Sequence, residues 1–590
     1  MKRFLITTAD ERSWNQEESV LFLGEWCLRY DRRHVWSALN AEIAIPYGVD
    51  PNVKKQDLGY LRNLNEVFLE ELTVFLNRLH GVSNSTRYWN LILGHWILRY
   101  LRILYNRYRT IEQVLDRYEI SGTISLDYKE FDLAPNDSIL FILNANENFW
   151  NHILNVEILK YFGLKEIVKK NEPAFLNKVI PLPSKQSAWK RILHYFIDQV
   201  VPLFSREKDA FIINSYLPFI YELKLQVGLK QIPQIWKSQK LSEWEIDPNL
   251  RKEFQIAVSG EQSFESFARN MIGRCLPLCY VEGFSELLQK SKKVNWPSKP
   301  RFIFTSNNFD TDELFKVWSA ERVNEGVPYF VGQHGNNYGT LYGLEKLPEL
   351  ISTDGFVSWG WSYDEQKQLP AFVITKCNEE NGIYDPSGGL LLIELPPPLR
   401  LGPEDVWQDF TQYFEEQLDF YESLPDDIRN MVIVRLHNSS KHFEWFDKER
   451  WKEKFPTVQI DPNHLKLQDL IAKSRLVVHS YDSTGILETL SLNIPTLCFW
   501  RNDLSHLVEE AIPYYERLKE VGIFHSSHAS TAEFITSQWD SIEVWWQSEE
   551  VQSVRSLFCN RYARKVPNSI STLKKILVDA SKKTINSVHP

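Results

Sequence analysis

The chain has few of the residues that mark secreted, membrane-spanning or disulfide-linked proteins. It carries only 6 cysteines and 3 methionines in 590 residues, and no two cysteines form a CxxC pair. This spacing excludes a disulfide framework and indicates a reducing compartment. The opening MKRFLITTAD has too short an apolar run for a signal peptide and predicts a first β-strand. We therefore expect a cytoplasmic protein.

The common ligand-binding motifs are also missing. There is no Walker-type GKS/T loop, no GxGxxG after the first strand, no GxSxG elbow, no zinc-ligand spacing and no DxD of the metal-dependent transferase kind. These absences predict catalysis without a metal and without a bound cofactor. The net charge of −10 argues against nucleic acid as a partner, since nucleic-acid-binding proteins are usually basic.

No run of residues reaches the roughly 18 uncharged apolar positions that a membrane-spanning helix needs. The nearest run, residues 88–109, is interrupted by Arg99 and Arg102. It could be an interfacial helix that brings the protein to the inner membrane. The alternative, which we favour, is a buried helix whose arginines extend their charged ends to solvent.

Alternation of strands and helices predicts an α/β fold of two Rossmann-like domains that face one another across a cleft. We expect residues 1–380 to form the first domain, with a large helical insertion at about 56–290. A break without periodicity at 377–389 separates it from a second domain at 385–530, and residues 531–590 form closing helices. Within the first domain we expect a helix through Phe22–Cys27 and a β-like run at SILFIL (138–143).

A polar turn of small residues is the strongest functional signal. The buried strand LVVHSY (476–481) is followed by Asp482, Ser483, Thr484 and Gly485, and then by a helix that Pro495 ends. Parallel sheets bind ligands at the carboxyl ends of their strands, and a helix start suits phosphate. An ordinary capped helix is the alternative.

A second signal is the turn GQHGNNYG (332–339), in which His334 directly follows a strand. A histidine there could accept a proton or bind phosphate, with Gln333 and Asn336 on the acceptor side. A structural histidine is the alternative, but the flanking Gln-His-Gly-Asn favours function. Asp354 is the candidate catalytic carboxylate, and Glu345 and Glu349 compete for that role.

Charged residues at other strand ends complete the candidate site. Arg435 and His437 end the strand MVIVRLH and share one face, where they could bind phosphate or carboxylate. A surface charge pair is the alternative. Thr8, Asp10 and Glu25 follow the first strand, where acceptor-side groups would lie.

Several stretches together resemble a family of bacterial transferases associated with O-antigen and other surface-glycan loci. They are FLITTADERSWNQEESVLFLGEWC, LNRLHGVSNSTRYWNLILGHWI, GQHGNNYG, DGFVSWGW and HSYDSTGILETLSLNIPTLCFW, and the similarity covers nearly the whole chain. More distantly, the C-terminal half is similar to capsule-type Kdo transferases and to polyol-phosphate transferases of wall polymers. The resemblance implies a GT-B-like architecture in which the turn at 482–485 holds the donor phosphate and Glu488 contacts the nucleotide ribose.

The resemblance implies a glycosyltransferase of surface-glycan biosynthesis, such as that of lipopolysaccharide or capsule. Its partners would be a nucleotide-sugar donor and a glycan or lipid-linked glycan acceptor. We expect a CMP-linked 2-keto acid sugar, such as Kdo or a nonulosonic acid, as donor. The strand end Arg435-Leu436-His437-Asn438 lacks the HP dipeptide of related CMP-dependent enzymes, which keeps UDP and GDP sugars open. A CDP-polyol phosphotransferase of the same fold is a second hypothesis, and a non-catalytic scaffold of a glycan assembly complex is a third.

Overall fold

The fold is that of a computed structural model with side chains. It describes residues 2–48, 50–174, 205–236, 238–254, 262–379, 381–395, 400, 410–437, 445–461, 464–501 and 504–588. Its named strands form three sheets, and all neighbouring strands within a sheet are parallel. The predicted α/β class with parallel sheets is therefore confirmed.

The first sheet has the strand order β3-β2-β1-β4-β5. Its strands are β1 (Arg3–Ile6), β2 (Val20–Phe22), β3 (Ala41–Ile43), β4 (Ile120–Asp127) and β5 (Ile167–Pro173). The order reverses between β1 and β4, which opens a crevice at the carboxyl ends of those two strands. Thr7 and Thr8 follow β1 and therefore lie at this crevice.

The second sheet runs in sequential order from β6 to β10. Its strands are β6 (Phe211–Ile213), β7 (Ile303–Thr305), β8 (Tyr329–Gly332), β9 (Gly355–Ser358) and β10 (Gln368–Pro370). Every residue of β6 to β9 is buried. This is the pattern of parallel strands covered on both faces, and it explains their apolar sequences.

The third sheet has the order β13-β12-β11-β14-β15-β16. Its strands are β11 (Gly389–Ile393), β12 (Val432–Arg435), β13 (Gln459–Asp461), β14 (Ser474–His479), β15 (Thr496–Phe499) and β16 (Phe524–His525). This is the doubly wound order, with its reversal between β11 and β14. The turn at 482–485 follows β14 and therefore lies beside that reversal.

Helices connect and cover the sheets. Those of the N-terminal half are α1 (Arg33–Trp36), α2 (Pro51–His80), α3 (Thr86–Arg117), α4 (Ser138–Asn144), α5 (Asn148–Tyr161), α6 (Phe219–Gly228), α7 (Pro248–Lys252), α8 (Phe264–Cys275), α9 (Phe284–Ser291), α10 (Asn308–Thr311), α11 (Glu313–Asn324) and α12 (Pro348–Ser352). Those of the C-terminal half are α13 (Phe410–Ser423), α14 (Asp426–Arg429), α15 (Asp447–Lys454), α16 (Leu467–Ile471), α17 (Thr484–Ser491), α18 (Ile512–Glu520), α19 (His528–Gln538), α20 (Ile542–Trp546), α21 (Glu549–Tyr562) and α22 (Ser569–Val588).

Helix α3 is the central helix of the N-terminal half. It packs against α2, α5, α11 and α12, and the side chains from Tyr88 to Ile97 are all buried. The helix is buried, as the favoured interpretation of residues 88–109 predicts. Its arginines do not all extend to solvent, however, because Arg99 pairs with Asp310 inside the protein. Within the described ranges, no helix is both long and apolar enough to cross a membrane.

Three expectations about the first 380 residues are corrected. The described strands there form two separate sheets rather than one. Residues 138–143 belong to helix α4, because Asp137 caps its start by accepting a hydrogen bond from the Leu140 N–H. The stretch from Phe22 is not one helix, since Phe22 ends a strand that pairs with β1, and only Glu25–Cys27 form a short 3₁₀ helix.

Two helical glycines give a matched test of this packing. A Cβ on Gly94 of α3 would clash with the Asn90 Oδ1 of the same helix and would lie 2.8 Å from the Pro348 Cβ of α12. A Cβ on Gly59 of α2 would meet only the Tyr342 hydroxyl at 4.0 Å. We expect Gly94→Ala to lower the free energy of unfolding by roughly 1–3 kcal/mol through overpacking. Gly59→Ala should raise it by about 0.5–1 kcal/mol, because alanine favours helix. Urea unfolding measures both, and a stabilised Gly94→Ala protein would contradict the α3–α12 contact.

Candidate functional site

The carboxyl edges of the second and third sheets meet at a small set of hydrogen bonds. The backbone N–H of Asn336, in the turn after β8, donates to Thr484 Oγ1 at 3.0 Å. The side-chain amide of Asn336 donates to Asp482 Oδ1 at 2.6 Å. The turn that carries His334 is therefore fixed directly to the turn at 482–485.

Two backbone hydrogen bonds extend the contact from the segment after β8 to the segment that follows β15. The Tyr342 N–H donates to the His506 carbonyl at 2.9 Å, and the Val508 N–H donates to the Thr340 carbonyl at 2.8 Å. Because these bonds use backbone atoms, the contact does not depend on side-chain identity at these four positions.

Asp482 is the acceptor at the centre of the contact. Besides the Asn336 amide, it accepts from the Tyr515 hydroxyl at 3.1 and 3.2 Å, and His506 Nε2 lies 3.4 Å from its Oδ2. The Asp482 side chain is only 7% exposed. These partners compensate for the burial of its charge.

His334 lies at the carboxyl end of β8, next to this contact. Its half-buried ring is surrounded by the rings of Tyr216, Phe309 and Tyr338 at centroid distances of 5.7, 6.1 and 5.3 Å. Burial lowers the pKa of His334, although Asp310 and the Ser306 carbonyl oppose this shift. The imidazole is therefore neutral at pH 7, which is the form that can accept a proton.

A chain of buried polar groups runs from His334 into the protein. The Tyr338 hydroxyl lies 3.3 Å from His334 Nδ1 and donates to Glu349 Oε1 at 2.6 Å. On the other side, His95 Nε2 lies 3.3 Å from Glu349 Oε2. Glu349 is 4% exposed, and burial raises its pKa to about 7.

An ion pair closes the far end of this chain. Arg99 donates to both carboxylate oxygens of Asp310 at 2.5 and 2.8 Å, and His95 Nδ1 lies 3.8 Å from Asp310 Oδ1. Burial by itself raises the pKa of Asp310, but the charge and hydrogen bonds of Arg99 outweigh it and hold that pKa at about 2. Burial lowers the pKa of His95 to about 3, so this histidine stays neutral.

The proton on Glu349 sets the hydrogen-bond direction along this chain. When Glu349 is ionised, Tyr338 donates to it, and the Tyr338 oxygen can accept from His334 Nδ1–H. When Glu349 is neutral, its carboxyl O–H can donate to the Tyr338 oxygen. The Tyr338 O–H can then donate to an unprotonated His334 Nδ1. Protonation of Glu349 on Oε1 can therefore bias the tautomer of His334 through Tyr338.

The predicted donor turn uses its hydroxyl groups internally. Ser483 caps α17 by accepting from the Ile486 N–H, and its hydroxyl lies 3.1 Å from His479 Nδ1. Thr484 Oγ1 is the acceptor for Asn336. A Cβ on Gly485 would lie 2.5 Å from His479 Cε1, so glycine is needed here for packing. Both hydroxyls are therefore engaged within the chain, and their binding of the donor phosphate stays a prediction.

The remaining predicted donor residues are also engaged or displaced. Arg435 forms a buried ion pair with Asp461, its neighbour on β13, and donates to the Leu465 carbonyl at 2.9 Å. Glu488 accepts from the Thr375 hydroxyl at 2.6 Å. His437 follows β12 with an exposed side chain. Arg435 is therefore engaged by Asp461 in this structure, and an anion pocket built on it stays a prediction.

Two predictions for the second sheet are corrected. Asp354 precedes β9, so it lies at the opposite edge of the sheet from His334, where it pairs with Arg87 at 2.7 Å and accepts from the Tyr329 N–H. The Gln333 Oε1 accepts from the Trp361 indole and from the Trp359 N–H, both at 2.8 Å, and so links the ends of β8 and β9. Neither residue faces the contact with the third sheet.

The other three acceptor-side residues, Thr8, Asp10 and Glu25, lie at the first sheet. Thr8 is fully buried at the end of β1, and its hydroxyl has no partner among the described residues. Asp10 is held by Arg12, whose Nε lies 2.9 Å from Oδ1. Glu25 accepts from the Thr411 N–H at 3.1 Å, so it links the first sheet to the start of α13.

A sequence model of the LIC12162 family transferases matches residues 3–577. The chain belongs to the LIC12162 transferase family. No curated protein matches it. The predicted membership of a bacterial transferase family is confirmed at this level, and the match spans all three sheets.

Three solved structures illustrate the weak likeness of this LIC12162 family member to known folds. A Listeria monocytogenes protein described as a UDP-N-acetylglucosamine 2-epimerase is 12% identical to this chain. The match covers 61% of this chain and 100% of that protein, with a TM-score of 0.33. A co-structure of S. aureus MnaA with UDP is 12% identical over 51% and 79%, with a TM-score of 0.31. A variant of the wall teichoic acid polymerase TagF is 13% identical over 68% and 93%, also with a TM-score of 0.31. These sequence identities and TM-scores are too low to support any conclusion about activity.

Sequence reasoning missed most of the buried chain in this LIC12162 transferase. His95 and Arg99 are one helical turn apart on α3, and Asp310 lies shortly after β7, so each carried a usable signal. Glu349 was only a competitor of Asp354. Among the described residues, no group of three or more His, Cys, Asp and Glu side chains is placed to hold a metal ion.

Glu349 gives this site a pH-dependent stability. An unfolded glutamate has a pKa of about 4.3, whereas burial raises that of Glu349 to about 7. Between these values the folded state holds a proton that the unfolded state releases, so this group lowers the free energy of unfolding as pH rises to 7. We expect Glu349→Gln, which cannot ionise, to gain roughly 2–3 kcal/mol relative to wild type between pH 5 and pH 8.

Urea unfolding at four pH values between 5 and 8 checks this expectation. Glu66→Gln is the control, because the Glu66 side chain is 51% exposed on the surface. A constant difference between Glu349→Gln and wild type across this range would show that Glu349 ionises as it does in water.

Proposed function

We propose that this LIC12162 transferase is a glycosyltransferase of bacterial surface-glycan biosynthesis. It would move a sugar from a nucleotide-activated donor to a glycan or lipid-linked glycan acceptor. The observation that carries the proposal is that His334, backed by a buried chain of polar groups, is held beside the carboxyl edge of the doubly wound third sheet. That edge is where open α/β sheets bind nucleotides.

In this proposal the donor lies against the third sheet, near the start of α17. The hydroxyls of Ser483 and Thr484 shape the turn, and the backbone N–H groups of the helix start face the donor phosphate. Fixed N–H donors stabilise the charge that grows on the leaving nucleotide as the glycosidic bond breaks. A CMP-linked 2-keto acid sugar remains the preferred donor, but it no longer draws support from Arg435.

His334 would act as the base for the acceptor hydroxyl. With Glu349 ionised, Tyr338 can accept from Nδ1–H, which leaves the Nε2 lone pair to take the acceptor proton. The hydroxyl oxygen then attacks the anomeric carbon, and the nucleotide leaves with the bonding electron pair. Because the productive tautomer needs an ionised Glu349, turnover should rise with pH through about 7.

A screen of nucleotide sugars with the purified protein tests this proposal. We expect one of CMP, CDP, UDP, GDP and ADP to raise the melting temperature, and the matching nucleotide sugar to be consumed when an acceptor glycan is present. His334→Gln should lower turnover by about 10²- to 10⁴-fold, with nucleotide binding retained.

His525→Gln is the matched control, because His525 also ends a parallel strand and, within the described part of the chain, its ring donates only to the Gly522 carbonyl at 3.0 Å. Wild-type turnover in His334→Gln would remove His334 as the base. A product that carries the donor phosphate would replace sugar transfer with polyol-phosphate transfer. If no nucleotide binds and no donor is consumed, the enzymatic proposal fails and the scaffold hypothesis gains support.

A further inference from the structure

A buried arginine lies between the first and third sheets, away from the His334 contact. Arg400, beyond the end of β11, is 5% exposed. Its guanidinium carbon lies 5.2 Å from the ring centroid of Trp26. Trp26 belongs to the 3₁₀ helix Glu25–Cys27 that follows β2, and its indole donates to the Thr7 carbonyl at 3.1 Å. The guanidinium is thus positioned at the carboxyl edge of the first sheet.

None of the guanidinium nitrogens of Arg400 has a hydrogen-bond partner among the described residues. Two further buried arginines of this protein differ. Arg251 donates to Glu282 at 2.6 and 2.7 Å and to two backbone carbonyls at 2.9 Å, and Arg435 pairs with Asp461. Burying a cation without hydrogen bonds costs much free energy. We therefore expect an anion, which the described residues do not provide, to bind Arg400.

The two acidic side chains that act electrostatically on Arg400 do not serve as its hydrogen-bonded anion. Cys27 and Glu147 act on it electrostatically, but neither forms a hydrogen bond with it. Burial raises the pKa of the Cys27 thiol to about 12, so that group is uncharged at pH 7. Burial lowers the pKa of Arg400 only to about 10, and the guanidinium stays positive.

A second unpartnered polar group lies at the same edge. The Thr8 hydroxyl is fully buried at the end of β1 and has no hydrogen-bond partner among the described residues. Thr8 is next to Thr7, whose carbonyl anchors Trp26. This is also where the strand order of the first sheet reverses, a position at which open parallel sheets bind ligands.

We propose that Arg400, stacked on Trp26, is the anchor of a substrate subsite between the first and third sheets that takes a carboxylate or phosphate group. A guanidinium stacked on an indole is fixed in its plane, and its edge can donate two parallel hydrogen bonds to such an anion. The subsite rests on the proposed transferase function, because it would bind an anionic group of the substrate of that reaction. The anion is either a phosphate of the nucleotide or a carboxylate of a sugar.

Arg400→Met tests the subsite, since it keeps the length of the side chain and removes the charge. The matched control is Arg475→Met, because Arg475 is also stacked on a tryptophan, Trp539, at 4.8 Å, but donates to the Trp539 carbonyl at 2.9 Å. Calorimetric titration would use inorganic pyrophosphate, CMP and UDP as phosphate probes, and free Kdo and N-acetylneuraminate as carboxylate probes.

We expect Arg400→Met to weaken at least one probe tenfold or more, Arg400→Lys to restore part of that affinity, and Arg475→Met to bind as wild type. The probe that responds identifies the anion as phosphate or carboxylate. The melting temperature of the ligand-free protein gives a second readout: it should not fall in Arg400→Met, whereas the loss of a structural contact should lower it in Arg475→Met.

Wild-type affinity of Arg400→Met for every probe, or no binding of any probe to the wild type, would overturn the subsite. A lower melting temperature of ligand-free Arg400→Met would also count against it, since it would indicate a structural arginine. Sugar transfer by the wild type is measured separately, so the subsite can fail while the proposed function stands. The reverse outcome, binding at Arg400 without any transfer, would reject the function and keep the site.

Discussion

The hydrogen bonds from Asn336 to Asp482 and Thr484 are the constraint on which the arrangement of the candidate site depends. They hold the carboxyl edge of the second sheet against that of the third. A charged acceptor in a nearly dry contact makes such a bond stronger than a bond between neutral groups. Because the two edges are held in this way, the imidazole at the end of β8, that of His334, lies beside the helix start that follows β14.

The buried chain behind His334 depends on the helices of the N-terminal half. Helix α3 supplies His95 and Arg99, and α12 supplies Glu349, so the chain forms where these two helices pack against each other. Charges of opposite sign at its far end, Arg99 and Asp310, stabilise each other in the interior. Glu349 pairs with no lysine or arginine of the described chain, and its ionisation therefore falls in the physiological pH range.

Much of the fold could be predicted from local sequence patterns, but the partners of the site residues could not. Short apolar runs such as LVVHSY identified strands, while SILFIL shows that such a run can equally be helical when a cap precedes it. The pairing of Arg435 with Asp461 depends on β12 and β13 being neighbours, which no local pattern reveals. Asp354 was expected beside His334 but precedes β9. In a parallel sheet the residues that precede and follow a strand lie at opposite edges, so Asp354 lies at the edge away from His334. Arg400 gave no signal at all, since burial without a partner is a property of the packed chain.

A double-mutant cycle between Asn336 and Asp482 tests the central claim, that the two sheets meet through this contact, most directly. The free energy of unfolding would be measured for wild type, Asn336→Ala, Asp482→Ala and the double variant. The structure predicts a coupling energy of about 1 kcal/mol or more, as found for directly hydrogen-bonded pairs. Effects that add to within about 0.3 kcal/mol would mean that the two side chains do not interact, and the alignment of His334 with the third sheet would lose its basis.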